Sequence, residues 1–343
     1  MRAAVTQDRG RMEVVSVAEP GEPGPGQVLV APEAVGICGS DFHYFLGDIG
    51  TIEDPSVLYP RIQGHEAAGT ILAVGADTPG LETGMRVALW PVRACGHCYA
   101  CRIGRGNACV NISLIGVHED GALQEQLLMP AAQVFPVGDQ DAAVAAVIEP
   151  VSIAVRTVVR GRVAAGEKVV VIGAGPIGQA LALAATDRGA SVLLVDTLES
   201  RLARGAAMGA ETLQVARDES FVPAVREWAG GDGPEVVIEA SGVAELVQPC
   251  VELVAQAGRV VVVSLSSERA PVRVGDLPLK EIDVLGVSCC GAGEFGDAVD
   301  LVSRRRDAAA SLVTHEFTLD EAPRAIAYAM EHPTEVMKAV VRV

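Results

Sequence analysis

Cys95, Cys98, Cys101 and Cys109 follow a C-x2-C-x2-C-x7-C spacing around a glycine-containing loop, Cys95-Gly96-His97-Cys98-Tyr99-Ala100-Cys101. Four thiolates this close along a chain can surround one tetrahedral zinc at about 2.3 Å each and leave no coordination position open. Such a site shapes a loop and performs no reaction. Disulfides and unpaired core cysteines are the competing readings. Residues Met1 to Asp8 show no apolar core of signal-peptide length, so the expectation is a reducing, cytoplasmic setting with metal-ligating thiols. His97 is expected to face solvent, since four thiolates already complete a shell.

A second set of ligand-type residues is spread more widely. Cys38, Ser40, His43 and Tyr44 lie in Gly36-Ile37-Cys38-Gly39-Ser40-Asp41-Phe42-His43-Tyr44; His65 and Glu66 lie in Gly64-His65-Glu66-Ala67-Ala68-Gly69; Glu149 precedes Pro150. Cysteine, histidine and carboxylate all ligate zinc, and three protein ligands leave a position for a substrate. Taken singly, each is an ordinary buried cysteine or a member of an ion pair.

A third pattern handles phosphate. Val169-Val170-Val171-Ile172-Gly173-Ala174-Gly175-Pro176-Ile177-Gly178 sets G-x-G-x-x-G between an apolar strand and a helix, with Asp196 ending the next strand, 23 residues after Gly173. Gly173 permits the tight turn, Gly175 lets backbone approach a pyrophosphate, and Gly178 lets helix and strand pack closely. The helix N-terminus adds amide donors and partial positive charge. Asp196 can accept hydrogen bonds from a ribose diol and repel a 2′-phosphate, which favours NAD over NADP, although Arg201 nearby pulls the other way. A glycine turn that binds nothing is the alternative.

The elements that must position these groups change character along the chain. Roughly the first 145 residues read as short strands between Gly/Pro turns: Arg2–Thr6, Gln27–Ala34, Thr70–Val74, Arg86–Trp90 and Gln124–Met129. After Glu149, strands buried on both faces (Val169–Ile172, Val192–Asp196, Val236–Glu239, Val260–Leu265, Ile282–Val287) alternate with helical patterns, which implies a parallel sheet. Two helices and a closing strand, Met337–Val343, follow. The 343 residues suffice for two cores. A net charge of −17 excludes nucleic acid and anionic membranes as partners. The uncharged span 169–186 is broken by Gly173, Gly175, Pro176 and Gly178, so it is not read as a membrane helix.

In their order, G-I-C-G-S-D-x-H, G-H-E-x-x-G, the four-cysteine lobe, E-P and G-x-G-x-x-G with its aspartate resemble the zinc-dependent medium-chain dehydrogenases, nearest to their polyol (sorbitol dehydrogenase-like) branch. The resemblance covers essentially the whole chain. It implies a GroES-like β-barrel catalytic domain from 1–147 plus 288–343, with a structural zinc lobe around 93–112, and a doubly wound Rossmann domain from 148–287. It implies two zinc ions per chain and a homodimer or homotetramer. Cys38, His65 and Glu66 would surround the catalytic zinc, with Glu149 a ligand or holding its water. A cysteine usually stands at the Glu149 position in alcohol dehydrogenases, and the glutamate points to the polyol branch.

Under the same resemblance Ser40 and His43 match a proton relay and Tyr44 a substrate contact. Ile177, Asp196 and Arg201 match cofactor contacts, to which we add Pro176, Leu265, Val287 and Ser288. Cys289-Cys290 stand where polyol enzymes carry an Arg-Tyr pair and are expected to be small pocket-wall residues. The expected reaction is NAD-linked oxidation of a secondary hydroxyl on a polyol, cyclitol or sugar acid, with sorbitol a poor substrate. For a sugar acid, Arg93 is one candidate cation. A threonine-type 3-dehydrogenase is the alternative enzyme, and a non-catalytic dinucleotide-binding sensor or scaffold the alternative of another class.

Overall fold

In the computed structural model, which describes residues 1–48, 59–217 and 219–343, the chain divides into two compact units. One is Met1–Ser152 with Cys290–Val343, the other Ile153–Cys289. The first boundary, expected at 147/148, lies at 152/153 because a single helix, Ile148–Arg160, runs through it; the second lies at 289/290, not 287/288.

The strands of the first unit are β1 (Arg2–Asp8), β2 (Arg11–Ser16), β3 (Gln27–Gly36), β4 (Arg61–Ile62), β5 (Glu66–Val74), β6 (Arg86–Leu89), β7 (Val92–Arg93), β8 (Ser113–Leu114), β9 (Leu127–Pro130) and β10 (Val134–Pro136). Those of the second are β11 (Lys168–Ile172), β12 (Ser191–Asp196), β13 (Glu211–Gln214), β14 (Val236–Glu239), β15 (Arg259–Val262) and β16 (Asp283–Gly286). The first unit is completed by β17 (Val313–Thr318) and β18 (Lys338–Arg342).

The main sheet of the first unit runs β10-β6-β5-β3-β18-β17, with β9 also on β3; β2-β1-β4 and β7-β8 are separate. Burial along β3 alternates through Glu33, as a strand with one wet face should, and becomes continuous from Ala34 to Gly36. There the strand is flanked on both sides, Gly36 pairing with Glu66 of β5 and with Val340 of β18. Val28, Val30, Ile71, Leu89, Met129 and Val341 fill the core beneath.

The second unit is a six-stranded parallel sheet, β13-β12-β11-β14-β15-β16. Val169, Val170 and Val171 are fully buried, as the apolar run requires of a strand covered on both faces. Two expected strands are shorter than their apolar patterns. Val260–Leu265 ends at Val262, and Leu265 lies in a loop, 85% exposed. Gln124–Met129 begins at Leu127, Gln124 making only an isolated bridge to Ala3. The stretch Ala142–Arg160 is long and apolar enough to cross a membrane, yet 78% of its window is buried inside the protein, the signature of a core helix.

Candidate active site and metal centres

Cys38 caps helix α1 (Gly39–Leu46) at its N-terminus. Its N–H donates to Asp41 Oδ2 at 2.9 Å while its carbonyl accepts from the Asp41 amide at 3.0 Å. Ending β3 on Gly36 and starting α1 at Gly39 therefore sets the cysteine directly beside β5, whose first residue is Glu66. Ligand atoms of Cys38, His65 and Glu66 lie within 4.8 Å of one another.

His65 is buried, with Nδ1 3.7 Å from Asp41 Oδ1. That carboxylate, itself 3% exposed, faces the ring at ion-pair distance, and Nδ1 makes no hydrogen bond among the described residues. Burial pulls the His65 pKa down, but the negative charges of Asp41, Cys38 and Glu149 outweigh it and hold it well above the ordinary value. Glu66 Oε1 accepts from Lys338 Nζ at 2.7 Å, and both residues are buried. Lys338 also donates to Ile37 O at 3.1 Å. Burial disfavours the lysine's charge, yet Glu66, Cys38 and Glu149 raise its pKa overall. Glu66 Oε2 has no hydrogen-bond partner, and it occupies space that a Cβ on Gly36 would enter at 2.2 Å.

One thiol, one imidazole and one orphaned buried carboxylate oxygen form a donor set that fits zinc. Glu149, in the first turn of the Ile148–Arg160 helix, contributes charge to His65 but lies outside the 4.8 Å group. Burial pushes its pKa up to about 7; His65 and Lys338 oppose the rise, Glu66 and Asp41 add to it. Ser40 and His43 stand one turn apart on α1, Ser40 half-buried and His43 exposed with Nδ1 2.9 Å from Asp48 Oδ1.

The residues expected at the substrate wall differ in exposure and partners. Tyr44 is fully buried, its ring edge-on to Tyr59 at 5.6 Å and its hydroxyl paired with Arg61. Burial raises its pKa to about 12. Cys290 is 1% exposed and its sulfur lies 3.0 Å from Ser152 Oγ, while its carbonyl accepts from Trp90 Nε1. Cys289 ends the other unit, with φ +45°. Arg93 is already paired with Glu119 at 2.6 Å.

The four-cysteine lobe closes as its spacing implies. Sulfur–sulfur distances are 3.4 Å for Cys98–Cys101, 3.8 Å for Cys98–Cys109 and 3.9 Å for Cys95–Cys101. A tetrahedron with ~2.3 Å metal–sulfur distances has edges of about 3.8 Å, whereas a disulfide needs ~2.05 Å. Amides of Cys95 and Asn111 donate to Cys109 Sγ. Backbone donors, first Cys101 and then Val110, hold the Cys98 thiol down at about 6; burial and the neighbouring sulfurs push Cys101 up to about 12. His97 is exposed and its Nδ1 engages Cys95 O, away from the sulfurs. Cys95→Ser is expected to lose one zinc of two per chain and to lower thermal stability, because metal binding in such a lobe is folding free energy. Elemental analysis and calorimetry check this; unchanged metal content with an unchanged melting curve removes the assignment.

In the second unit the three glycines separate by cause. Gly173 has φ +102° and abuts Ser241, and a Cβ on Gly178 would meet Gly173 O at 1.9 Å, so the chain's own packing requires both. Gly175 has an ordinary φ of −69° and open space where a Cβ would stand, at the N-cap of helix α2, which runs Pro176–Asp187. Only a ligand approaching the backbone needs a glycine there. Pro176 begins that helix and Ile177 is half-buried beside it. Asp196 accepts from Ala174 N at 2.6 Å and Leu198 N at 2.9 Å, with Arg201 Nη1 4.0 Å away. Leu265 and Ser288 are exposed and Val287 half-buried.

Sequence reasoning missed four buried polar groups here: Asp41, Lys338, Gln179 and Glu239. Gln179 bridges Ala174 O and Arg201 O. A signal existed for Lys338, the single charge in the apolar run Met337–Val341; Asp41 sat unread inside the Cys38 motif.

This pairing of a barrel-like unit carrying a Cys/His/Glu cluster and a sulfur lobe with a parallel sheet carrying a glycine turn defines a metal-assisted dehydrogenase of alcohols. Residues 24–139 match the alcohol dehydrogenase GroES-like domain and residues 176–304 the zinc-binding dehydrogenase family. The chain belongs to the zinc-dependent medium-chain dehydrogenases, in their polyol branch. It is 35% identical to L-galactonate-5-dehydrogenase of Escherichia coli K12, over 86% of this chain and 85% of that one. It is also 35% identical to sorbitol dehydrogenase of Ovis aries, over 88% and 85%. An alcohol dehydrogenase structure from E. coli CFT073, complexed with NADH, superposes with a TM-score of 0.89 at 28% identity, covering 100% of this chain and 99% of that one.

Proposed function

We propose that this enzyme oxidises a secondary hydroxyl of a polyol, cyclitol or sugar acid to a ketone, reversibly, with NAD as acceptor. The observation that carries the reading is the buried Cys38–His65–Glu66 group with one orphaned carboxylate oxygen, which fits a metal held by three protein ligands. When bound, zinc supplies Lewis acidity that brings an alcohol proton within reach of a neutral-pH acceptor, and NAD supplies the hydride acceptor. Ser40 Oγ takes the hydroxyl proton as the carbon loses hydride. His43, one turn on and exposed, delivers that proton to solvent, so substrate loses two hydrogens, one as hydride and one as H⁺.

Asp196 supports NAD over NADP, because its carboxylate faces the end of β12 with a charge that a 2′-phosphate would meet. Eight cysteines, none joined in a disulfide among the described residues, support a cytoplasmic setting. The outer edge of β16 is unpaired among the described residues, and Val284 on it is 46% exposed. Such an edge suits strand pairing with a second copy, in keeping with a homodimer or homotetramer.

Tyr44 and Cys290 are buried and Arg93 is an exposed partner of Glu119, and the sugar-acid and sorbitol enzymes among its relatives set the panel of substrates. Activity with NAD is expected on at least one polyol, cyclitol or aldonate, above that on ethanol and threonine, with NADP weaker. Reduction followed at 340 nm checks it. Turnover of ethanol above every polyhydroxylated compound would overturn the substrate class, and threonine as best substrate would favour the threonine-type alternative. A chain holding two zincs that turned over nothing would favour the sensor.

A further inference from the structure

Glu239, at the end of β14, is a carboxylate with 1% exposure that the reaction above does not use. Its Oε1 accepts from Ser241 N at 2.7 Å, Ser241 Oγ at 2.5 Å and Gly242 N at 3.1 Å; its Oε2 accepts from Ser264 Oγ. Two loops are therefore tied to one buried anion, the loop after β14 and the loop after β15. The first of these also packs on the glycine turn, since a Cβ on Gly173 would lie 2.9 Å from Ser241 Cα and N. Gly242 in turn faces Leu265 O, at 3.9 Å from the position of its missing Cβ. The outward surfaces of these loops are open: Ser241, Val243 and Leu265 are exposed above the buried carboxylate.

Sheet order says which part of a dinucleotide would lie there. The chain passes from β11 to β12 and β13 on one side, then returns to β14 and β15 on the other, so the strand order reverses between β11 and β14. A pyrophosphate at the Gly175 turn, with its adenosine ribose on Asp196 at the end of β12, must extend its other half across β14 toward β15. That path crosses the loops Glu239 ties down.

We propose that Glu239 is a positioning residue for the nicotinamide half of the cofactor, holding Ser241–Gly242 and Ser264 as a preformed floor. The proposal rests on the NAD-dependent reading above. Without the carboxylate, two loop amides and two hydroxyls lose a charged acceptor and the floor must be ordered anew at each binding event.

The test compares NADH with ADP, which carries only the adenosine half, by calorimetric titration of the zinc-loaded protein. Glu239→Ala is expected to weaken NADH binding about tenfold or more, equivalent to ~1.4 kcal/mol, while ADP binding stays within roughly twofold of wild type. Glu239→Gln keeps an acceptor oxygen for Ser241 and Gly242 and should recover most of the loss. In steady state the KM for NAD should rise more than the KM for the alcohol. If Glu239→Ala does not fold, Ser264→Ala removes one tie and should still weaken NADH selectively, by about threefold. Equal loss of NADH and ADP, or NADH binding as in wild type, overturns the proposal. A wild-type protein that binds neither ligand overturns the nicotinamide-cofactor reading, and the proposal with it.

Discussion

Cys38→Ala is expected to lower turnover by roughly 10³-fold or more, to remove one zinc of two, and to leave NADH binding nearly unchanged. A metal electrophile is worth several kcal/mol of barrier, and each ~1.4 kcal/mol is a factor of ten. The separation of effects follows from placement: Cys38 belongs to the unit built on β3, β5 and β18, whereas Gly175 and Asp196 belong to the other. Cys38 is also the N-cap residue of α1, so some loosening of that helix is anticipated on substitution. Asp41→Asn separates the two contributions. It keeps the shape behind His65 but removes the charge 3.7 Å from Nδ1, and should cost about 10–100-fold in zinc affinity or turnover. Metal analysis, steady-state rates and NADH titration on the same preparations decide the matter. A Cys38→Ala protein with near-wild-type turnover, or with both zincs retained, would remove Cys38 from the site.

Lys338→Met carries the largest expected cost in stability. The Lys338–Glu66 pair is 4% and 1% exposed at the side chains, and removing one partner of a buried pair leaves a charge that neither water nor protein neutralises. Losses of about 3–5 kcal/mol are usual in that situation, whereas replacing both partners by neutral groups can be nearly neutral. We therefore expect Lys338→Met to destabilise the first unit by roughly that amount, and the double variant with Glu66→Gln to regain most of it. The two tryptophans allow the first unit to be read alone: Trp90 lies in it and Trp228 in the other, so a Trp228→Phe background leaves one reporter. Denaturant unfolding followed by Trp90 fluorescence within ~1 kcal/mol of that background would show that the pair does not stabilise the fold.

Both variants bear on residues of unequal legibility. Cys38, His65 and Glu66 stood out because short motifs carry them, and the resemblance joined the motifs. Lys338 is separated from Glu66 by 272 residues, and no local pattern says that the two touch. Their meeting follows from the register of β3 against β5 and β18, which puts Glu66 and Val340 on either side of Gly36. Glycine at position 36 then leaves the space in which the Glu66 carboxylate sits.

The sequence by itself determined the features whose geometry is short-range. The sulfur lobe spans Cys95 to Cys109, and the glycine turn lies between one strand and the next helix, so spacing alone nearly sets their shape. The change from short strands to strand–helix alternation was legible for a similar reason, since burial on both faces imprints continuous apolar runs. Only the tertiary structure decided that Tyr44 faces Tyr59 and Arg61 in the core, and that Cys290 meets Ser152 across 138 residues. It alone decided, too, that the apolar pattern through Leu265 stops being strand at Val262. In each case the outcome depends on which distant segment covers a side chain. Strand register and loop packing settle that, and period and composition along the chain do not encode it.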